Sequence, residues 1–300
     1  MAVIRVPATA ANLGPGFDCH GLALSLYLTV EVEPSEEPFG TFTFRGEGAQ
    51  ELGGAAEENL IFQAMRFAAE REGVPLQPAR LRVTNEIPLA RGLGSSAAAI
   101  VAGLSAFEAV TGARLPEGKL LAYATAIEGH SDNVAAALLG SFVVSCTGDG
   151  GEVLAARVAW PDDVRAVVVI PEFKVRTEQA RAVVPGTVSR ADAVYNLQRA
   201  ALTVAALAGG RFELLREAMR DRLHQPHRAA LVPGLEDVLQ IEADGLLGIA
   251  LSGSGPTVIA LASHNFDGIA AAISERFAAR DIRCRSLSLE VDEQGREIME

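Results

Sequence analysis

Pro88-Leu89-Ala90-Arg91-Gly92-Leu93-Gly94-Ser95-Ser96-Ala97-Ala98 sits between two segments of different periodicity. Before it, Leu81 to Ile87 reads as a short strand. After it, Ser95 to Val110 is rich in small residues and reads as a helix stopped near Gly112. A proline closes the strand, glycines follow, and the helix opens at a serine pair. Glycines let the backbone approach a ligand closely. The free N–H groups and positive end of a new helix suit a phosphate. Ser95 and Ser96 could cap the helix, bind phosphate oxygens or reach a metal. The residues alone equally allow a plain N-cap on a buried Ala-rich helix. A Walker loop needs Gly-Lys-Ser/Thr, and none is present. Gly92 to Ala97 fits G-x-G-x-x-A, but Thr111 to Pro116 reads as a turn between helices. The acidic strand end of a dinucleotide site is missing there, which disfavours a Rossmann reading.

Working outward, Leu22 to Glu33 and Phe39 to Arg45 have β-rich, alternating composition. Asn59 to Glu72, Pro116 to Glu128 and Asp132 to Leu139 read as helices, and Ser141 to Cys146 as a strand. Thr147 to Gly151 looks like a hairpin turn. A domain boundary is expected near Trp160-Pro161-Asp162-Asp163, giving domains 1–160 and 161–300. Beyond it come a strand (Val164 to Ile170), helices (Arg190 to Ala208, Phe212 to Arg222) and strands (Gly248 to Leu251, Thr257 to Ala262). A helix (Asp267 to Ala279) and a strand (Ile282 to Leu289) follow. This mixed order argues an α+β class.

Composition narrows the function. The chain has 300 residues, 49% hydrophobic and 21% charged, which supports a sizeable core and excludes disorder as the main state. No apolar run reaches the ~18 residues of a membrane span, and no signal peptide is read at Met1 to Arg5. With 26 basic against 38 acidic residues the charge is −12, which argues against nucleic acid as a partner. Lys119 and Lys174 are the only lysines, so a cationic substrate contact is expected to be arginine, suited to carboxylate or phosphate. Cys19, Cys146 and Cys284 are widely spaced, with no CxxC. A reducing cytoplasm is the expected setting.

Two more loops carry polar and glycine residues. Pro7-Ala8-Thr9-Ala10-Ala11-Asn12-Leu13-Gly14-Pro15-Gly16-Phe17-Asp18 reads as an early loop, either a ligand site or an Asx turn. Leu251-Ser252-Gly253-Ser254-Gly255-Pro256-Thr257 reads as a turn between apolar strands. Together, and in order, the three loops resemble those of the GHMP kinases, the superfamily of galactokinase, homoserine kinase and mevalonate kinase. The chain is most similar to its homoserine kinase branch, through Asn12 to Asp18, Glu128 to Ala135, Thr177-Glu178-Gln179-Ala180-Arg181, and Arg228 before Pro233-Gly234. Ala136 departs from the proline common there.

The resemblance implies a two-domain GHMP kinase fold, its N-terminal domain with a left-handed βαβ crossover and its C-terminal domain ferredoxin-like. It implies ATP and Mg2+ as cofactors and L-homoserine as the small-molecule partner, phosphorylated in threonine biosynthesis, with a homodimer as a candidate assembly. Pro88, Leu89, Ala90, Arg91, Gly92, Leu93, Gly94, Ser95, Ser96, Ala97 and Ala98 would hold the phosphates, and Asn59 the adenine side. Ser96 and Glu128 would position the metal and, with Asn133, form the catalytic group. Asn12, Asp18, His130 and Asn133 would hold the amine and hydroxyl. Arg181 and Arg228 would clamp the carboxylate. Asp132 is either a base or a helix N-cap, and His224 and His227 are read as structural. A mevalonate- or sugar-type kinase and a catalytically silent ligand-binding homologue are the alternatives.

Overall fold

The computed structural model describes residues 1–36, 41–52 and 59–299. Strands β1 (Ala2–Ala11), β2 (His20–Pro34), β3 (Thr41–Gly46), β4 (Ala79–Asn85), β5 (Phe142–Thr147) and β6 (Val153–Val158) share one sheet. Helices α1 (Ala49–Leu52), α2 (Leu60–Glu72), α3 (Ser95–Thr111), α4 (Glu117–Glu128) and α5 (Asp132–Leu139) interleave with them. β3 and β4 are parallel neighbours joined across α2, while β1, β2 and β4 pair antiparallel. β2 shows why: Leu26, Leu28, Val30 and Val32 are buried, and the residues between them face outward.

Small residues let the helices close on this sheet. A Cβ at Gly103 would lie 2.3 Å from the Ile61 carbonyl, so α3 meets α2 at backbone contact. A Cβ at Gly21 would lie 2.2 Å from the Asp132 carbonyl, which seats the start of α5 directly on β2. That contact fixes where Asp132 and Asn133 stand.

The second half contains β7 (Arg165–Pro171), α6 (Thr177–Ala182), α7 (Arg190–Ala208), α8 (Leu215–Ala218), α9 (Gln225–Arg228), α10 (Leu235–Leu239), β8 (Leu246–Leu251), β9 (Val258–Ala262), α11 (Phe266–Ala278) and β10 (Cys284–Leu289). Its four strands form an antiparallel sheet in the order β10-β7-β9-β8, the ferredoxin-like arrangement. A second hydrophobic cluster, including Val169, Leu235, Leu251, Ile269 and Phe277, fills one side of it. Trp160 donates its indole N–H to the Val164 carbonyl (2.7 Å) at the turn between the two sheets. A short strand β11 (Glu297–Met299) then returns the chain to β1.

Two expectations are corrected. Pro7 to Ala11 belong to β1 rather than to a loop. A register shift between Pro7 and Ala8 accommodates the missing proline N–H. Phe212 to Arg222 is not one helix: a 3-10 turn (Phe212–Leu214) leads into α8, which ends at Ala218. The buried Asp221 carboxylate accepts the N–H groups of Leu223, His224 and Gln225, which pulls the chain into α9. Of the strand expected over Phe39 to Arg45, the part from Thr41 onward is β3; Phe39 and Gly40 lie outside the described residues.

Candidate active site

All three loops meet in a cleft of about 660 Å³ between the two sheets. The central loop is shaped by backbone conformation. Ala90, Gly92 and Gly94 have φ of 53°, 77° and 67°, the left-handed region. Gly94 admits no side chain, since a Cβ would sit 1.9 Å from the Thr9 hydroxyl. Gly94 is also the N-cap of α3, and no side chain caps that helix. The first N–H groups of a 17-residue helix therefore open on the cleft, where an anion would be favoured.

Neighbouring loops lock this one in place. Thr9 N–H donates to the Leu93 carbonyl (3.1 Å), Val175 N–H to Ala90 (3.2 Å) and Thr257 N–H to Arg91 (3.2 Å). The Ser252 hydroxyl donates to the Gly92 carbonyl at 2.6 Å. Gly253 N–H reaches across to the Ala11 carbonyl at 3.0 Å. The C-terminal loop is thus a brace for the other two.

Beside the helix start lies a line of polar side chains. Ser96 Oγ donates to Glu128 Oε1 at 2.5 Å rather than capping its own helix. His130 stands 3.9 Å from the same Glu128 oxygen, and its Nδ1 is 2.8 Å from Asp132 Oδ1. Asp132 Oδ1 also accepts the Asn133 N–H (2.7 Å), and Thr9 Oγ1 donates to Asn133 Oδ1 (2.8 Å). Burial raises the Glu128 pKa, against the opposing pull of the Ser96 hydrogen bond and the His130 charge. Burial lowers that of His130, but the hydrogen bond and charge of Asp132, with Glu128, outweigh it, and the net shift is upward. Ser131, not Asp132, is the N-cap position of α5; Asp132 is its first residue.

The opposite wall is built from side chains. Arg181 makes a bidentate pair with Asp18, at 2.8 and 3.1 Å. Arg228 is buried; its Nε donates to the Ala180 carbonyl (3.1 Å) and its Nη1 to Gly253 (2.8 Å). Among the described residues no hydrogen bond engages its Nη2. Burial, with Arg181 nearby, lowers the Arg228 pKa to about 10. The Phe17 ring lies under both guanidiniums, 5.9 Å from Arg181 and 5.3 Å from Arg228. Asn12 spends its side chain on the loops: Oδ1 accepts the Asp18 N–H (3.0 Å) and Nδ2 donates to Gly253 (3.2 Å).

Of the residues read from the sequence, Asn12, Asp18, Ala90, Gly92, Gly94, Ser95, Ser96, Glu128, His130, Asn133, Arg181 and Arg228 line the cleft together. Others do not. Pro88 and Leu89 lie outside the lining, and Leu93, Ala97 and Ala98 pack their side chains into the core. Arg91 turns away, donating to the carbonyls of Pro171 (2.9 Å), Glu172 (2.5 Å) and Leu89 (3.3 Å), so it bridges the two sheets. Asn59 is outside the lining as well: it caps α2 through the Ile61 N–H, at 2.8 Å. The sequence reading omitted Arg176, Thr177 and Glu178, which line the cleft at the start of α6, and Thr9, which orients Asn133. The Thr-x-x-Ala-Arg match was the available signal for the first group; Thr9 left none.

Residues 59–141 match the family model described as GHMP kinases N terminal domain, and residues 203–279 match GHMP kinases C terminal. The chain belongs to the GHMP kinases, a family of ATP-using small-molecule kinases. Its relatives are more particular. It is 44% identical over 298 residues to a homoserine kinase of Desulfitobacterium hafniense, covering 98% of this chain and 99% of that one. It is 42% identical over 285 residues to a homoserine kinase of Moorella thermoacetica, covering 95% of each. The crystal structure of homoserine kinase from Cytophaga hutchinsonii superposes with a TM-score of 0.88 at 29% identity, over 99% of this chain and 97% of that chain.

Proposed function

We propose that this protein transfers the γ-phosphoryl group of ATP to the side-chain hydroxyl of L-homoserine, forming O-phospho-L-homoserine for threonine biosynthesis. The observation that carries the reading is the meeting, in one cleft, of an uncapped helix start with two arginines and a carboxylate. The first is suited to a triphosphate and the second set to a zwitterion. An ammonium matches Asp18 and a carboxylate matches Arg181 and Arg228, so an α-amino acid satisfies both signs at once. Each Arg181 Nη bonded to Asp18 keeps a second N–H for the substrate. Neither mevalonate nor a neutral sugar supplies the ammonium.

In this reading the backbone N–H groups around Gly92 to Ala97 hold the phosphates, while Asn59 serves as the cap of α2. His130 and Asn133 orient the acceptor, and Asn12 keeps the loop of Asp18 in place. Ser96 and Glu128 fit Mg2+, because two hard oxygens converge at the cleft wall and Glu128 is held there against its desolvation. A magnesium ion would neutralise charge on the phosphates. Among the described residues no set of three metal-ligating side chains exists, which fits an ion held mostly by phosphate oxygens and water. Phosphoryl transfer needs positioning and charge stabilisation more than proton abstraction, so Asp132 serves by fixing His130 and Asn133. A cytoplasmic setting, a homodimer and the division of the domains at residue 160 belong to the same proposal. Among the described residues no helix is long and apolar enough to cross a membrane.

A coupled ADP-release assay over L-homoserine, mevalonate, galactose and shikimate tests the reading. Homoserine should give the highest kcat/KM. Release no faster with homoserine than with water, alongside clear turnover of another alcohol, would overturn the substrate.

A further inference from the structure

We infer that His224 is a positioning residue for the substrate wall, a neutral imidazole that ties the loop of Asn12 to Asp18 to the Arg228 guanidinium. The inference rests on the homoserine reading above and deepens it. His224 is fully buried, and three of its faces are used. Its Nε2 lies 2.7 Å from the Gly14 carbonyl. A carbonyl only accepts, so Nε2 carries the proton and donates. Nδ1 is then a bare acceptor, and it faces Arg228 Nη1 at 3.4 Å. The ring itself stacks on Phe17, with centroids 5.2 Å apart and planes at 20°. Phe17 in turn underlies both substrate-wall guanidiniums.

The loop has little other freedom at that point. Gly14 has φ +85°, and a Cβ there would lie 2.0 Å from the Met219 carbonyl. A one-sided shift of His224 would therefore move the loop, Phe17 and Arg228 together. The charged groups around the imidazole are Asp221, with Oδ2 3.5 Å from Nε2, Arg228, and the more distant Asp18. Burial keeps the ring neutral and is only partly offset by Asp221, while Arg228 reinforces it; the net shift is downward. A second proton would have to sit on Nδ1, against a guanidinium. Neutrality of His224 is thus a condition for the Arg228 contact.

Steady-state kinetics of His224→Phe and His224→Gln, with homoserine and ATP varied separately at neutral pH, test this. Phenylalanine keeps volume and stacking but loses both hydrogen bonds; glutamine restores a donor for the Gly14 carbonyl. Losing net hydrogen bonds of ordinary strength should raise the homoserine KM of His224→Phe about three- to tenfold. The fall in kcat should be smaller, the ATP KM should hold, and His224→Gln should recover part of the loss. A wild-type homoserine KM in His224→Phe, or an equal rise in both KM values, overturns the inference while homoserine turnover still stands. Should neither variant fold, the wild type decides: its homoserine KM should rise relative to its ATP KM only as pH falls below the ordinary histidine range, because burial holds the imidazole pKa down. His130, with its raised pKa, is already charged in that range. A flat ratio contradicts the role. A wild type that does not turn over homoserine overturns the functional reading first, and this inference with it.

Discussion

The two walls of the cleft are made differently. The wall proposed to hold phosphate is backbone: left-handed φ at Ala90, Gly92 and Gly94, then the open start of α3. The wall proposed to hold substrate is side chain: Asp18 from one loop, Arg181 from α6 and Arg228 from α9, gathered from across the chain. A backbone wall is preorganised by local conformation and has no rotamers to lose. A side-chain wall depends on packing beneath it, here Phe17 and His224. The contrast suggests a division of labour: the first wall sets the rate of transfer, and the second sets which alcohol is held.

The largest effect should come from Gly94→Ala. The substitution forces φ 67° on a residue with a Cβ and drives that Cβ into the Thr9 hydroxyl at 1.9 Å. Activity should fall below detection in an ADP-release assay, with a lowered Tm. Near-normal turnover would mean that the loop can rearrange, and that its geometry is not the rate-setting feature.

Next are Ser96→Ala, which removes the donor of the 2.5 Å contact, and Glu128→Gln, which keeps an acceptor there but removes the charge. Interactions that matter most in the transition state appear in kcat. Each should lower kcat about a hundredfold or more, comparable to losing one preorganised stabilising group. The homoserine KM should move far less. Near-wild-type kcat at saturating Mg2+ in both variants would take them out of the transfer step.

A smaller effect concerns stability beneath the substrate loop. Burial lowers the His20 pKa to about 4, with partial compensation from Asp132. The unfolded chain takes up this proton near pH 6.5, and the native chain does not until about pH 4. Stability should therefore fall as pH drops through that window, by ~1.4 kcal/mol per pH unit for this group. Buried His224 acts in the same direction. Denaturant melts at several pH values should show a slope about one proton shallower in His20→Leu than in wild type. Parallel slopes would assign the acid sensitivity elsewhere.

The same contrast explains what the sequence made legible. Glycines and a serine pair announce a backbone site locally, so the central loop, α3 and its stop at Gly112 could be read from their residues. Even there, side-chain directions were hidden. Arg91 sits inside the motif yet binds the Pro171 and Glu172 carbonyls at the end of β7. The substrate wall carries no local signal, because the 163 positions between Asp18 and Arg181 close only in three dimensions. Those residues came from resemblance to a family. Thr9 falls within the stretch that reads as a loop, and nothing there singles it out from its neighbours; only its 2.8 Å bond to Asn133 marks it. β11 was missed because three residues give too short a pattern to read.

The division of labour is tested most directly by removing either side of the proposed arginine–carboxylate contact. Arg181→Ala and Arg228→Ala should each weaken homoserine by a charge-assisted hydrogen bond, about 1.5–3 kcal/mol, or roughly ten- to a hundredfold in KM. The ATP KM should hardly change. On 3-aminopropan-1-ol, which lacks the carboxylate, wild type should already perform poorly, and both variants should be little worse. The account predicts that the wild-type advantage seen with homoserine largely disappears with the amino alcohol. Equal losses on both substrates would contradict it, because the arginines would then serve the nucleotide or the fold rather than the substrate.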